Sequence, residues 1–184
     1  MNKVLNRCWL ALIAVAAMML LLPAVTMADS VFVEFSTDTF LINPDSNNVR
    51  SLVRFDLPAE LDSTDIVFAE LTLPINCDIP DSSAFALFCN PLNIAWNVDD
   101  ITWHTLGDTL TDLIIGDGTL FVTSSQGDQT AYFDITAIVR LWAEGSLINN
   151  GLILSYDNSQ AAYPIFDYDA GLNGQVRIIY SKLE

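Results

Sequence analysis

A single histidine, His104, stands in 184 residues, and that excludes much hydrolytic and metal chemistry. A catalytic zinc site takes three protein ligands and a structural one four, and the chain has neither a zincin motif nor any two-histidine spacing. A serine triad would need the same histidine, and no serine sits in a nucleophile-elbow glycine pattern. His104 follows Trp103 and opens a loop, so an ordinary surface or half-buried histidine is expected. Two carboxylates at the right separation could cleave a glycosidic bond. With 23 Asp and Glu, some pair meets that distance by chance, so abundance is no argument. No catalytic residue is expected, and the chain is not read as an enzyme.

Residues suited to binding are easier to find. Trp96, Trp103 and Trp142 lie in apolar stretches and are expected in the core, because large aromatic rings dominate sandwich interiors. Tyr156, Tyr163 and Tyr168 stand near or within the region 157–174. A ring there could stack on a pyranose while its hydroxyl meets water or a sugar oxygen; the alternative is that these rings cover the sandwich edge. Asp167 and Asp169 flank Tyr168 and would fall on the same side of an extended segment. A structural Ca2+, which takes six to eight oxygens, is the one cofactor such a pair suits. Asp99 with Asp100, and Asp117 before Gly118, are weaker candidates, and none fits the EF-hand loop.

The chain opens with Lys3 and Arg7, an apolar run from Cys8 to Val25, and small residues at Thr26 and Ala28. This is the pattern of a signal peptide over residues 1–28, the rival being a retained membrane anchor. Its removal leaves residues 29–184 as a single domain with five Lys/Arg against 23 Asp/Glu, a formal charge of −18. Such a surface repels nucleic acid and anionic membranes, whose affinity is built on Lys and Arg. The expected location is secreted, extracellular or periplasmic. In that compartment Cys77 and Cys89 are expected to pair as a disulfide, stapling a hairpin loop around the turn-rich segment 78–83.

The elements that would carry these residues are short strands between turn clusters. Strands are read at 31–35, 51–57, 66–73, 84–88, 92–96, 119–123, 131–134, 152–156 and 175–180. One short helix follows Phe133, capped by Thr136 or Asp134, with Ile138, Val139, Leu141 and Trp142 at helical spacing and Gly145 as its stop. Many short strands, no alternation of strand with helix and one small helix predict an all-β antiparallel sandwich of jelly-roll type.

Three stretches, SLVRFDL (51–57), the Trp96…Ile101-Thr-Trp103 segment, and FDITAIVRLWAEGSLINNGLIL (133–154), resemble DNRLRE-type domains. These are exported jelly-roll modules related to disaggregatase-associated repeats and to an alginate-associated carbohydrate-binding family. The resemblance covers essentially the whole mature chain. It implies a jelly-roll sandwich secreted beside, or attached to, polysaccharide-active enzymes and cell-surface proteins. A charge of −18 fits poorly with alginate, itself a polyanion. The resulting expectation is a secreted, non-catalytic carbohydrate-binding module for a cell-wall or matrix polysaccharide. The alternative is a structural cell-surface or extracellular-matrix protein that engages other protein chains.

Overall fold

The computed structural model describes residues 28–34, 37–42, 49–78, 85–106, 118–123, 127–156, 163–165 and 174–181. Ten strands carry the fold: β1 (Ala28–Glu34), β2 (Thr37–Ile42), β3 (Val49–Arg54), β4 (Ile66–Asp78), β5 (Phe85–Pro91), β6 (Thr119–Thr123), β7 (Gly127–Asp134), β8 (Leu152–Tyr156), β9 (Tyr163–Ile165) and β10 (Gln175–Ser181). Among the described residues two helices join them, the single turn α1 (Trp103–Leu106) and the eight-residue α2 (Thr136–Ala143).

Sheet 1 has the order β1-β10-β4-β7, with β9 also pairing β4, and sheet 2 has the order β2-β3-β8-β5-β6. All pairings are antiparallel. Set the extra strands β2 and β9 aside, and β1-β10-β4-β7 lies against β3-β8-β5-β6, the two interlocked four-stranded sheets of a jelly roll. The expected all-β sandwich is therefore the fold.

Period-two alternation builds the core. Ala69, Leu71, Leu73 and Ile75 of β4 meet Val176 and Ile178 of β10 and Ala131 and Phe133 of β7 on one inner face; Val53, Leu87, Cys89, Leu152 and Leu154 supply the other. Full burial of each large side chain contributes about 1.5–3 kcal/mol, an upper figure because the unfolded chain already buries some apolar surface.

The sandwich is closed at one end by α2. Ile135 donates its N–H to Ala69 O at 2.9 Å, which continues the β7–β4 pairing into the helix start. Neither expected residue occupies the N-cap, which is Ile135 and has no side-chain cap; Asp134, one residue earlier, accepts at Oδ1 the N–H of Thr136 at 3.0 Å and the Thr136 hydroxyl at 2.6 Å. The Thr136 hydroxyl oxygen accepts from Ala69 N at 2.9 Å, so Thr136 ties the helix to β4 instead of capping it. Ile138, Val139 and Trp142 are buried, and Trp142 meets Phe55 edge to face at 5.6 Å. Leu141 faces outward instead. Arg140 donates from Nε and Nη2 to Ile66 O at 3.0 and 2.6 Å. The helix stops at Gly145, whose φ of 71° is the left-handed conformation that glycine adopts without a Cβ penalty.

Segment 92–96 differs from its expected strand. Only Leu92 makes a bridge there; the rest is irregular, followed by a turn at 98–100. This stretch and α1 lie over the outer face of sheet 2. Leu92, Trp96, Trp103 and Leu106 pack on Leu52 and Ile153 as a second apolar cluster. β3 is therefore buried on both faces, with Val53 in the main core and Leu52 in this outer one.

Candidate functional site

The sequence-predicted sugar and calcium residues are not brought together among the described residues. Tyr156 ends β8 in register with Leu87, and Tyr163 begins β9 opposite Asp78; the side chains of both lie outside the described residues, as do Tyr168, Asp167 and Asp169 entirely. Asp99 and Asp100 are exposed beside a turn in which Asp99 N donates to Asn97 Oδ1 at 3.2 Å. Among the described residues no cluster of three or more His, Cys, Asp or Glu could hold a metal ion. His104 is exposed on α1.

The expected Cys77–Cys89 disulfide is not formed. Cys89 is a free, fully buried thiol in the main core, and burial pushes its pKa well above the ordinary thiol value. The hairpin on which that pairing was expected is absent. Cys77 lies in β4 of sheet 1 and Cys89 in β5 of sheet 2, so the segment between them passes from one sheet to the other and is no hairpin loop.

The two outer faces of the sandwich are unlike. On sheet 2, Arg50 stacks on Trp103 with its guanidinium carbon 4.1 Å from the ring centroid, and Arg54 lies 5.0 Å over Trp96. Arg54 Nη1 also donates to Trp96 O at 3.2 Å, and Trp96 Nε1 donates to Asn150 O at 2.7 Å. Both tryptophans are only 7 % exposed. They serve as core, as the sequence suggests, and are closed to a ligand.

Among the described residues nothing covers the outer face of sheet 1. Pairing register aligns Phe32, Arg177, Glu70 and Asp134 in one row across β1, β10, β4 and β7. The adjacent row contains Gln175, Thr72 and Tyr132. Phe32 and Tyr132 are each 54 % exposed and occupy opposite ends of the pair of rows. Four strands spaced about 4.8 Å apart put roughly 14 Å between the outermost positions of a row. The Arg177 guanidinium lies 5.9 Å over the Phe32 ring, holding the cation beside an apolar surface. The face is thus a rigid strip with an aromatic ring at each end and amide, hydroxyl, carboxylate and guanidinium groups between. It can stack on apolar ring faces and hydrogen-bond to several hydroxyls at once.

Sequence reasoning recognises each of these strands, including the wet side of β4 at Glu70 and Thr72, but places sugar contacts in the late loop. The available signal was an aromatic out of phase with apolar neighbours that face the core: Phe32 between the partly buried Val31 and Val33, and Tyr132 between the buried Ala131 and Phe133. Among the described residues no helix is long and apolar enough to cross a membrane. No protein-family model matches the chain, and no curated protein matches it.

Proposed function

We propose that this protein is an exported, non-catalytic carbohydrate-binding module that takes a polysaccharide chain across the outer face of sheet 1. The observation that carries this reading is the half-exposed pair Phe32 and Tyr132 framing rows of polar side chains on a sheet that no other described residue covers. Pyranose rings would lie on the two aromatic faces, and Gln175, Thr72, Glu70 and Arg177 would meet their hydroxyls. Because these groups stand on paired strands, little conformational freedom is lost on binding. The likeness of the 51–57 and 133–154 motifs to DNRLRE-type modules points the same way.

Charge narrows the ligand. Glu70 and Asp134 follow Arg177 in the same row, two carboxylates to one cation, on a chain of formal charge −16 before any leader is removed. An uncharged polysaccharide meets no repulsion there, whereas a polyuronate does.

The test is retention on insoluble neutral polysaccharides, with and without a chelator. Retention should persist in chelator, because no described group on this face needs a cation. It should fall roughly tenfold for Phe32→Ala and for Tyr132→Ala, the loss of one stacking ring at about 1.4 kcal/mol. Unchanged retention in both variants would overturn the assignment of this face. No retention on any polysaccharide would overturn the function.

A further inference from the structure

We infer that two copies of this chain associate through β6, edge to edge and antiparallel, joining their second sheets into one continuous sheet. The inference concerns the opposite sheet from the proposed sugar face and stands independently of it.

Each sheet of an open sandwich ends in two edge strands, whose unpaired backbone groups can pair with another chain. Among the described residues the end strands are β1, β7 and the three-residue β9, which contains Pro164, in sheet 1, and β2 and β6 in sheet 2. Three of them carry carboxylates: Asp29 and Glu34 in β1, Asp38 in β2, Asp128 and Asp134 in β7. On so acidic a chain these edges repel a second copy, since like charges placed opposite each other across strands are destabilising. β6, with the sequence TLFVT, has no charge, no proline and no bulge in its pairing with β5. Among the described residues it has none of the charges, prolines or bulges that blunt an edge, and it pairs with β5 alone.

Its side chains agree with its backbone. Leu120 and Val122 point outward and are 50 % and 54 % exposed, and Phe88, in register with Leu120 on β5, is also exposed. The covering layer of Trp96 and Trp103 packs on Leu52 and Ile153, of β3 and β8, and leaves these three bare. Self-pairing centred on Phe121 sets Leu120 of one copy opposite Val122 of the other. Both apolar strips then merge across the junction. A five-residue strand spans only about 17 Å, and a contact that short buries less area than a permanent dimer interface, so the association is weak and concentration-dependent.

The geometry has a consequence for binding. The two-fold axis of such a junction runs perpendicular to the sheets. Both sheet 1 faces therefore look the same way, and a dimer could grip one polysaccharide surface at two points.

Sedimentation velocity of the exported chain over a wide concentration range tests the inference. Wild type should shift from monomer to dimer, and Leu120→Lys and Val122→Lys should each weaken association by roughly tenfold or more. Thr130→Lys, exposed on the β7 edge, should leave it unchanged. Amide exchange across β6 in the unmodified protein should slow as concentration rises, which tests the same edge without any substitution. Monomer at every concentration, association indifferent to both β6 substitutions, or β6 exchange independent of concentration would each overturn the inference.

Discussion

Replacing Arg50 by Met and Trp103 by Leu, singly and together, measures how the outer layer of sheet 2 is held. Arg50 is 5 % and Trp103 7 % exposed, and the guanidinium carbon is 4.1 Å from the ring centroid. Cation–π pairs contribute about 0.5–1 kcal/mol when exposed and about 2 kcal/mol or more when desolvated, so this pair belongs near 2 kcal/mol. Both residues make further interactions. The single substitutions therefore cost more than the pair itself; shrinking the buried indole alone costs about 2–4 kcal/mol. The cycle removes those other terms and leaves the coupling. For a domain of this size 1 kcal/mol moves the midpoint by roughly 2–4 °C, so the coupling alone accounts for about 4–8 °C. Urea unfolding of the four proteins at low and high salt supplies the numbers. Because water is nearly excluded, salt should change the coupling little. A coupling within the additivity error of about 0.5 kcal/mol, or one abolished by salt, would refute the claim that this stack secures the layer.

Two further perturbations probe the closing turn and the core. Gly151 has φ +88°, and a Cβ there would stand 2.4 Å from Val53 O, whereas Gly145 at φ +71° has open space around it. Gly145→Ala should cost about 1 kcal/mol, the conformational penalty alone, and Gly151→Ala roughly 3 kcal/mol or more, because β3 or the turn must also move; equal losses in thermal unfolding would contradict this. The second concerns pH. Burial raises the Cys89 pKa in the folded protein, so the native state keeps this proton after the unfolded chain has lost it near pH 8.5. Stability from this residue is thus fully present below about pH 8.5 and falls above it by about 1.4 kcal/mol per pH unit. Cys89→Ala should remove that component of the slope between pH 8.5 and 10, and an unchanged difference between the two proteins across that window would count against it.

Much of this fold is legible in the sequence, and the exceptions share a cause. The segments 119–123 and 152–156 read correctly to the residue because turn residues bound them and the apolar run is short. The helix reads correctly because Trp142 and its neighbours keep a 3.6 spacing up to a glycine. β3 is where the pattern misleads. Leu52, Phe55 and Leu57 are spaced apolar residues of the strand read at 51–57, yet a step of three residues changes sides in a strand. In the fold Leu52 joins Arg50 and Arg54 under the tryptophans, and Phe55 enters the main core. Arginines ordinarily mark a wet face, and nothing local says that residues 92–106 will return to cover them. The hairpin expected around residues 78–83 fails similarly: nearness in sequence and turn-forming residues between Cys77 and Cys89 suggest it, while the jelly-roll path sends the two strands to opposite sheets.

The candidate face is illegible for a deeper reason. Phe32 and Tyr132 are a hundred residues apart, and each alone is an unremarkable aromatic in an alternating strand. They become one surface only because β10 and β4 lie between their strands in a fixed register, and that order is set by non-local pairing. The same pairing makes the two sides of the sandwich unequal. Sheet 2 is covered by an excursion of about a dozen residues that brings two tryptophans and engages two of the chain's few cations. Sheet 1 receives no such cover among the described residues, and its aromatics are left at half exposure. A face kept only for solubility would need neither ring, and replacing both Phe32 and Tyr132 by Thr should then leave folding intact. Their cost to stability is small because neither is buried, so whatever the double substitution removes from polysaccharide retention measures binding and not the fold.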